Sequence, residues 1–111
     1  MKKLDIIVTT YEESDDYISD FMHMLVMQRD IKHDEFNVIV VCMEKYERDI
    51  RERILFGYDF NIITIPAPDD ANVSVYRNIG LAASDAPWVM FGEPDDLLSD
   101  IYSLRSILEV L

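Results

Sequence analysis

Apolar positions along the chain follow two periods, and the period changes at regular intervals. Leu4 to Thr10 is a short apolar, β-branched run and predicts a strand. After it, Ser14 is placed to cap a helix, with Asp15 and Asp16 in the first turn, where the helix dipole favours negative charge. Ile18, Phe21, Met22 and Leu25 then recur at helical spacing. The methionines between Met22 and Met27 read as packing of this helix on a sheet. Asn37 to Met43 is apolar on both alternating faces, as a central strand covered on both sides would be. Glu44 to Phe56 predicts a charged helix. Glu44 and Arg48, Glu47 and Arg51, and Asp49 and Arg53 are acid-before-base pairs four apart, and Tyr46, Ile50 and Ile54 line the other face. These charges read as a solvated face.

Gly57 is placed to end that helix. Asn61 to Ile65 predicts a third strand, stopped by Pro66-Ala67-Pro68, and Asp69, Asp70 and Asn72 form a polar loop. Val73, Tyr76, Ile79 or Gly80, and Ala83 mark a third helix. Trp88 to Phe91 predicts a fourth strand, and Ser99 to Leu111 a last helix with Ile101, Leu104, Leu108 and Leu111 inward. Strands that alternate with helices imply a parallel sheet with right-handed crossovers. Ligands of such sheets bind outside the carboxyl ends of the strands. That rule selects residues 9–12, 42–44, 66–72 and 92–96 from geometry alone.

Length and charge narrow the choice of partner. The 111 residues fit one domain, residues 1–111, with no repeat and no linker. Formal net charge is −12, which repels nucleic-acid phosphates and anionic membranes. No apolar stretch approaches the roughly 20 residues a bilayer requires, and no secretory signal is visible, so the cytoplasm is the expected compartment. Cys42 is alone and lies in an apolar run, so it reads as a buried small hydrophobe. His23 and His33 have no partner at metal-ligand spacing. Only three glycines are present, with no G-x-G-x-x-G, no phosphate-binding P-loop and no nucleophile elbow.

One cluster remains. Phe91-Gly92-Glu93-Pro94-Asp95-Asp96 carries three carboxylates at a strand end. Like charges this close repel, and a divalent cation relieves the repulsion. Carboxylate oxygens are hard ligands that suit Mg²⁺ or Mn²⁺. Pro94 fixes the turn between Glu93 and Asp95. The same residues also fit a helix N-terminus capped by Asp95 or Asp96, and the local pattern leaves both open.

The segments around this cluster carry a resemblance. Asn72-Val73-Ser74-Val75-Tyr76-Arg77-Asn78-Ile79-Gly80-Leu81-Ala82, then Trp88-Val89-Met90-Phe91, then Glu93-Pro94-Asp95-Asp96 resembles the donor-binding half of family 2 glycosyltransferases. Those enzymes have the GT-A fold. Their pattern is a helix with Ala-Arg-Asn-x-Gly, a hydrophobic strand, and an Asp-x-Asp motif usually followed by another Asp. Ile6-Ile7-Val8-Thr9-Thr10-Tyr11-Glu12 is similar to their first strand and its Pro-Thr-Tyr-Asn-type end.

The resemblance implies a three-layer α/β/α, Rossmann-like GT-A half-domain with a mainly parallel four-stranded sheet. It implies that Thr10, Tyr11 and Glu12 line the base and ribose pocket, that Arg77 sits near the donor diphosphate, and that Glu93 faces the ribose or metal-bound water. Asp95 and Asp96 would hold Mn²⁺ or Mg²⁺. Three departures qualify the transfer. Cys42-Met43-Glu44-Lys45 stands where the family has Asp-Asp-Gly-Ser, so Glu44 would take over base recognition. Glu93 replaces an aspartate and is one methylene longer. The chain ends fifteen positions after Asp96, so the acceptor-binding half and its catalytic base are expected to be missing, and no residue is assigned as that base. The expected function is binding of a nucleotide-diphospho-sugar, with transfer only alongside a partner. The alternative is a catalytically inactive binding or assembly module. A lone half-domain also predicts self-association or an acceptor-domain partner protein.

Overall fold

The computed structural model describes residues 4–10, 15–28, 32, 35–54 and 57–92. Four strands, β1 (Leu4–Thr9), β2 (Phe36–Met43), β3 (Asn61–Ala67) and β4 (Trp88–Gly92), alternate with helices α1 (Asp15–Met27), α2 (Glu44–Asp49) and α3 (Val73–Ala83). The sheet order is β3-β2-β1-β4, and every pairing is parallel. β1 and β2, flanked on both sides, are buried along their whole length. Their unbroken apolar runs require that position.

Alternate side chains of the strands feed two cores. Leu4, Ile6, Val8, Phe36, Val38, Val40 and Cys42 pack with Ile18, Phe21, Met22 and Leu25 of α1 and with Ile50. Ile7, Ile39, Val41, Met43 and Ala67 pack with Tyr76 of α3 on the other face. The chain therefore winds from β1 to β2 to β3 with helices on one face. It then returns past both strands to β4 with α3 on the opposite face. Crossovers of one hand running in opposite directions require this division. The three-layer α/β/α arrangement with a parallel four-stranded sheet is the one expected.

Four local expectations are corrected. Pro66 does not stop the third strand; β3 runs on to Ala67, with Pro66 opposite Cys42. β3 is an edge strand, where a missing N–H removes no ladder bond. The charged helix is α-helical only over Glu44–Asp49 and continues as a π-helical turn at Ile50–Ile54. Charge periodicity does not separate these two hydrogen-bonding patterns. Its face is also not wholly solvated. Glu47 accepts from Arg51 Nη1 at 2.9 Å and from Thr64 Oγ1 of β3 at 2.8 Å, while Arg48 turns to Glu52 at 3.4 Å. On α3 the inward residues are Tyr76 and Gly80, whereas Val73 and Ala83 are exposed. The expected cap Ser14 and the last helix 99–111 lie outside the described residues.

A polar row crosses the sheet near the amino ends of its strands. Asn61 Nδ2 donates to Asn37 Oδ1 at 2.9 Å, and Asn37 Nδ2 donates to Asp5 Oδ1 at 2.9 Å. Asp5 Oδ2 accepts from Ser84 Oγ at 2.6 Å and from the backbone N–H groups of Asp85 and Ala86, both at 3.1 Å. Burial raises the Asp5 pKa. The hydrogen bonds from Ser84, Asn37, Ala86 and Asp85 together outweigh it, and the carboxyl titrates below its ordinary value. The row clamps the turn between α3 and β4 onto β1, and so fixes where both elements point at their other ends.

Candidate functional site at the carboxyl ends of the strands

The winding reverses between β1 and β4, and it is outside the carboxyl ends of the strands at such a point that open α/β sheets have their ligand-binding crevice. Thr10 follows β1 there. Its N–H donates to the Val41 carbonyl at 2.9 Å, continuing the ladder by one residue. Its side chain is buried, and Oγ1 has no hydrogen-bond partner among the described residues. A buried hydroxyl with no partner is costly, and a ligand or water at the crevice would satisfy it.

β4 ends beside it, with Gly92 in register with Val8. Phe91 pairs with Ile7, so it lies on the α3 side of the sheet. There the Arg77 guanidinium stands over the Phe91 ring, 5.5 Å from its centroid. A cation–π contact of this kind contributes about 0.5–1 kcal/mol when exposed, and it also orients the guanidinium. The expected diphosphate-binding cation is thus held beside the strand end that leads into Glu93.

Ala67 leads into the loop before α3. The Ala71 N–H donates to the Pro68 carbonyl at 3.1 Å, and the Asn72 side chain accepts from the Val75 N–H at 3.1 Å, capping α3. Asp69 and Asp70 are exposed on this loop. At the end of β2, Glu44 is exposed in the first turn of α2, where the dipole favours its charge. Cys42 is buried. Burial, reinforced by Glu47 and opposed by Arg51, pushes its thiol up to about 12. It is a packing residue with Sγ 3.8 Å from the Ile65 carbonyl, as its apolar run predicts.

Of the sequence-predicted site residues, the structure describes Thr10, Glu44 and Arg77, and all three belong to the carboxyl-end region of the sheet. Tyr11, Glu12, Glu93, Asp95 and Asp96 lie outside the described residues. Among the described residues no group of three His, Cys, Asp or Glu side chains is arranged to hold a metal. His23 is exposed and meets Tyr58 edge-on, with centroids 6.0 Å apart, as a surface aromatic contact. The sequence does not single out Phe91 as a site residue. The signal that could have found it is its position one residue before Gly92 on the strand that leads into the acidic motif.

No protein-family model matches the chain. A teichoic acid poly(glycerol phosphate) polymerase of Staphylococcus epidermidis is 31% identical over 111 residues. The match takes in 98% of the chain, which spans 15% of that polymerase's length. A solved fragment of S. aureus TarS, residues 1–349, superimposes with a TM-score of 0.73 at 24% identity, covering 96% of this chain and 31% of the fragment. The same fragment has been solved in complex with UDP and with UDP-GlcNAc, with TM-scores of 0.73 for both. The chain shares the fold of this region of TarS.

Proposed function

We propose that the chain binds a nucleotide-diphospho-sugar in the crevice between β1 and β4, as the donor-binding half of a glycosyltransferase does. The observation that carries this reading is the Arg77 guanidinium set over Phe91 near the end of β4, with the buried Thr10 Oγ1, unpartnered among the described residues, at the end of the adjoining β1. The fold shared with a protein solved with UDP and UDP-GlcNAc supports it. Thr10, Tyr11, Glu12 and Glu44 would contact base and ribose, Glu93 the ribose, and Arg77 the diphosphate. Arginine keeps its charge at any working pH and offers a planar fork to phosphate oxygens.

The carboxylates of Asp95 and Asp96 provide the donor set that Mg²⁺ or Mn²⁺ requires. When bound, the cation would supply Lewis-acid stabilisation of the diphosphate leaving group. In a chain of net charge −12 it also offsets the repulsion that a diphosphate meets. Sugar transfer further needs a base within reach of the acceptor hydroxyl. A partner, either an acceptor-binding polypeptide or a second copy, would contribute it.

A second reading has its own support. Cys42-Met43-Glu44-Lys45 stands where the family has Asp-Asp-Gly-Ser, and Cys42 is buried in the core. On that reading the chain serves binding or assembly and transfers nothing.

Calorimetric titration with UDP, GDP and their sugars, with and without Mn²⁺, tests the first reading. Binding should require the metal and disappear in Asp95→Ala. Absence of binding to every nucleotide, with and without metal, would refute it and leave the module reading.

A further inference from the structure

Tyr76 is the largest side chain buried to completion among the described residues, and it lies one position before Arg77. Its ring packs among Ile7, Ile39, Val41, Met43 and Ala67 on the α3 face of the sheet. One turn later, on the same face of α3, stands Gly80. A Cβ built there would lie 2.5 Å from Ile7 Cγ2 and 3.3 Å from Val41 Cγ2. The helix is therefore pressed onto the sheet at Gly80 and held off it by an aromatic ring at Tyr76. The spaced end is the amino end of α3, at the carboxyl ends of β2 and β3 where Met43 and Ala67 lie.

The hydroxyl of Tyr76 has a second role. It donates to the Pro68 carbonyl at 3.3 Å, a long bond, and the same carbonyl takes the Ala71 N–H. Tyr76 N–H donates to the Asn72 carbonyl at 3.2 Å. One residue thus touches the loop 68–72 at both of its ends.

We propose that Tyr76 is a positioning residue for the crevice. Its ring sets the height of the amino end of α3 above the sheet, and its hydroxyl ties down the loop bearing Asp69 and Asp70. Together they hold that loop and the Arg77 guanidinium in one arrangement for ligand. The statement about ligand rests on the nucleotide-sugar reading; the hold on the loop does not.

The test compares wild type with Tyr76→Phe and Tyr76→Leu by amide hydrogen exchange, urea denaturation and UDP titration with Mn²⁺. A net neutral hydrogen bond corresponds to about a three- to tenfold change in an equilibrium. In Tyr76→Phe, exchange at the Ala71 amide should therefore rise about three- to tenfold. The amides of Val8 and Ile39 and the urea midpoint should stay as in wild type, and UDP affinity should fall by a factor similar to that at Ala71. Tyr76→Leu, which also loses the ring, should weaken UDP binding further. Unchanged exchange at Ala71 in both variants would overturn the hold on the loop. So would an equal rise at Ala71, Val8 and Ile39, which would make Tyr76 an ordinary core residue. A wild-type chain that binds no UDP sinks the reading of the crevice instead, and leaves the Ala71 comparison to decide on Tyr76.

Discussion

Replacing Asp5 by alanine removes the acceptor at the centre of the polar row. Four donors lose their partner: Asn37 Nδ2, Ser84 Oγ and the N–H groups of Asp85 and Ala86. Hydrogen bonds to a charged group contribute about 1.5–3 kcal/mol each, but the sum is not available, because desolvating the carboxylate costs several kcal/mol. The donors also differ in what they can recover. Asn37 is buried, whereas Asp85 is exposed and Ser84 and Ala86 are half-buried, so water can reach most of the turn after relaxation. A buried neutral donor left without an acceptor costs about 1–3 kcal/mol, and with Asn37 buried and the turn partly open to water Asp5→Ala should cost about 3 kcal/mol in all. With a urea m-value of about 1.5 kcal/mol/M, the midpoint at pH 7 should fall by about 2 M.

The pH dependence carries a definite sign. The folded pKa of Asp5 lies below its unfolded value, so its contribution is fully present above the ordinary carboxylate range near 3.8. It is lost as pH falls through the folded value. The gap between wild type and Asp5→Ala should stay constant from pH 8 to 5 and narrow below about pH 4. Asp5→Asn refines the test. Its amide oxygen can keep the three donors of the turn, and its NH₂ then faces Asn37, whose amide must flip. That flip sets Asn37 Nδ2 against Asn61, which is exposed and free to flip in turn. Asp5→Asn should therefore cost only about 1–2 kcal/mol and remove the acid-side narrowing of the gap. An Asp5→Ala midpoint within about 0.3 M of wild type would refute this account of the row.

Three further outcomes are expected. Gly80→Ala gains about 1 kcal/mol of helix propensity but drives a methyl into Ile7 and Val41, whose contacting atoms are branched methyls with little freedom; a net loss of about 1–2 kcal/mol should appear in urea melts, with the midpoint below wild type. Asn72→Ala removes the cap on the Val75 N–H and should cost about 1 kcal/mol by the same assay, with Asn72→Asp close to wild type. Cys42, with its thiol pushed up to about 12, should resist a thiol reagent at pH 8 in the folded chain and react fully in urea; rapid reaction of the native protein would contradict its burial.

Much of this architecture was legible in the sequence because its signals are local. The doubly apolar run at Asn37–Met43 marks a strand covered on both faces, and Asn72 followed by an apolar period marks the start of α3. What local pattern missed was decided by neighbours in space. Asp5 reads as one polar residue in an apolar strand, and nothing near it in the chain announces Ser84 or Ala86. Pro66 reads as a stop because its tolerance depends on β3 being an edge, which is a property of the sheet order. Glu47 reads as one more surface charge until β3 brings Thr64 beside it. The strand-end rule selected the segments holding Thr10 and Glu44, which lie at the carboxyl ends of β1 and β2, and the resemblance supplied Arg77. The aromatic platform under Arg77 emerges only when β4 is laid next to β1. The acidic motif, the strongest sequence signal, remains an expectation whose test is metal-dependent binding.

The placement of β4 beside β1 has a consequence for how the chain comes off the ribosome. Asp5 is joined to the Ala86 N–H across 81 positions, and Leu4 waits for Trp88. During synthesis at about 5–20 residues per second, β1 and β2 can pair early, but one flank of β1 stays open for several seconds until the fourth strand is made. That open flank offers the unpaired N–H and C=O groups of Asp5 and Ile7, a template for pairing with another nascent chain. A stop codon or pause before residue 88 would leave a species with an apolar, unsealed sheet edge. Translation speed through the codons for residues 44–88 should therefore bear on its solubility as much as any side chain does.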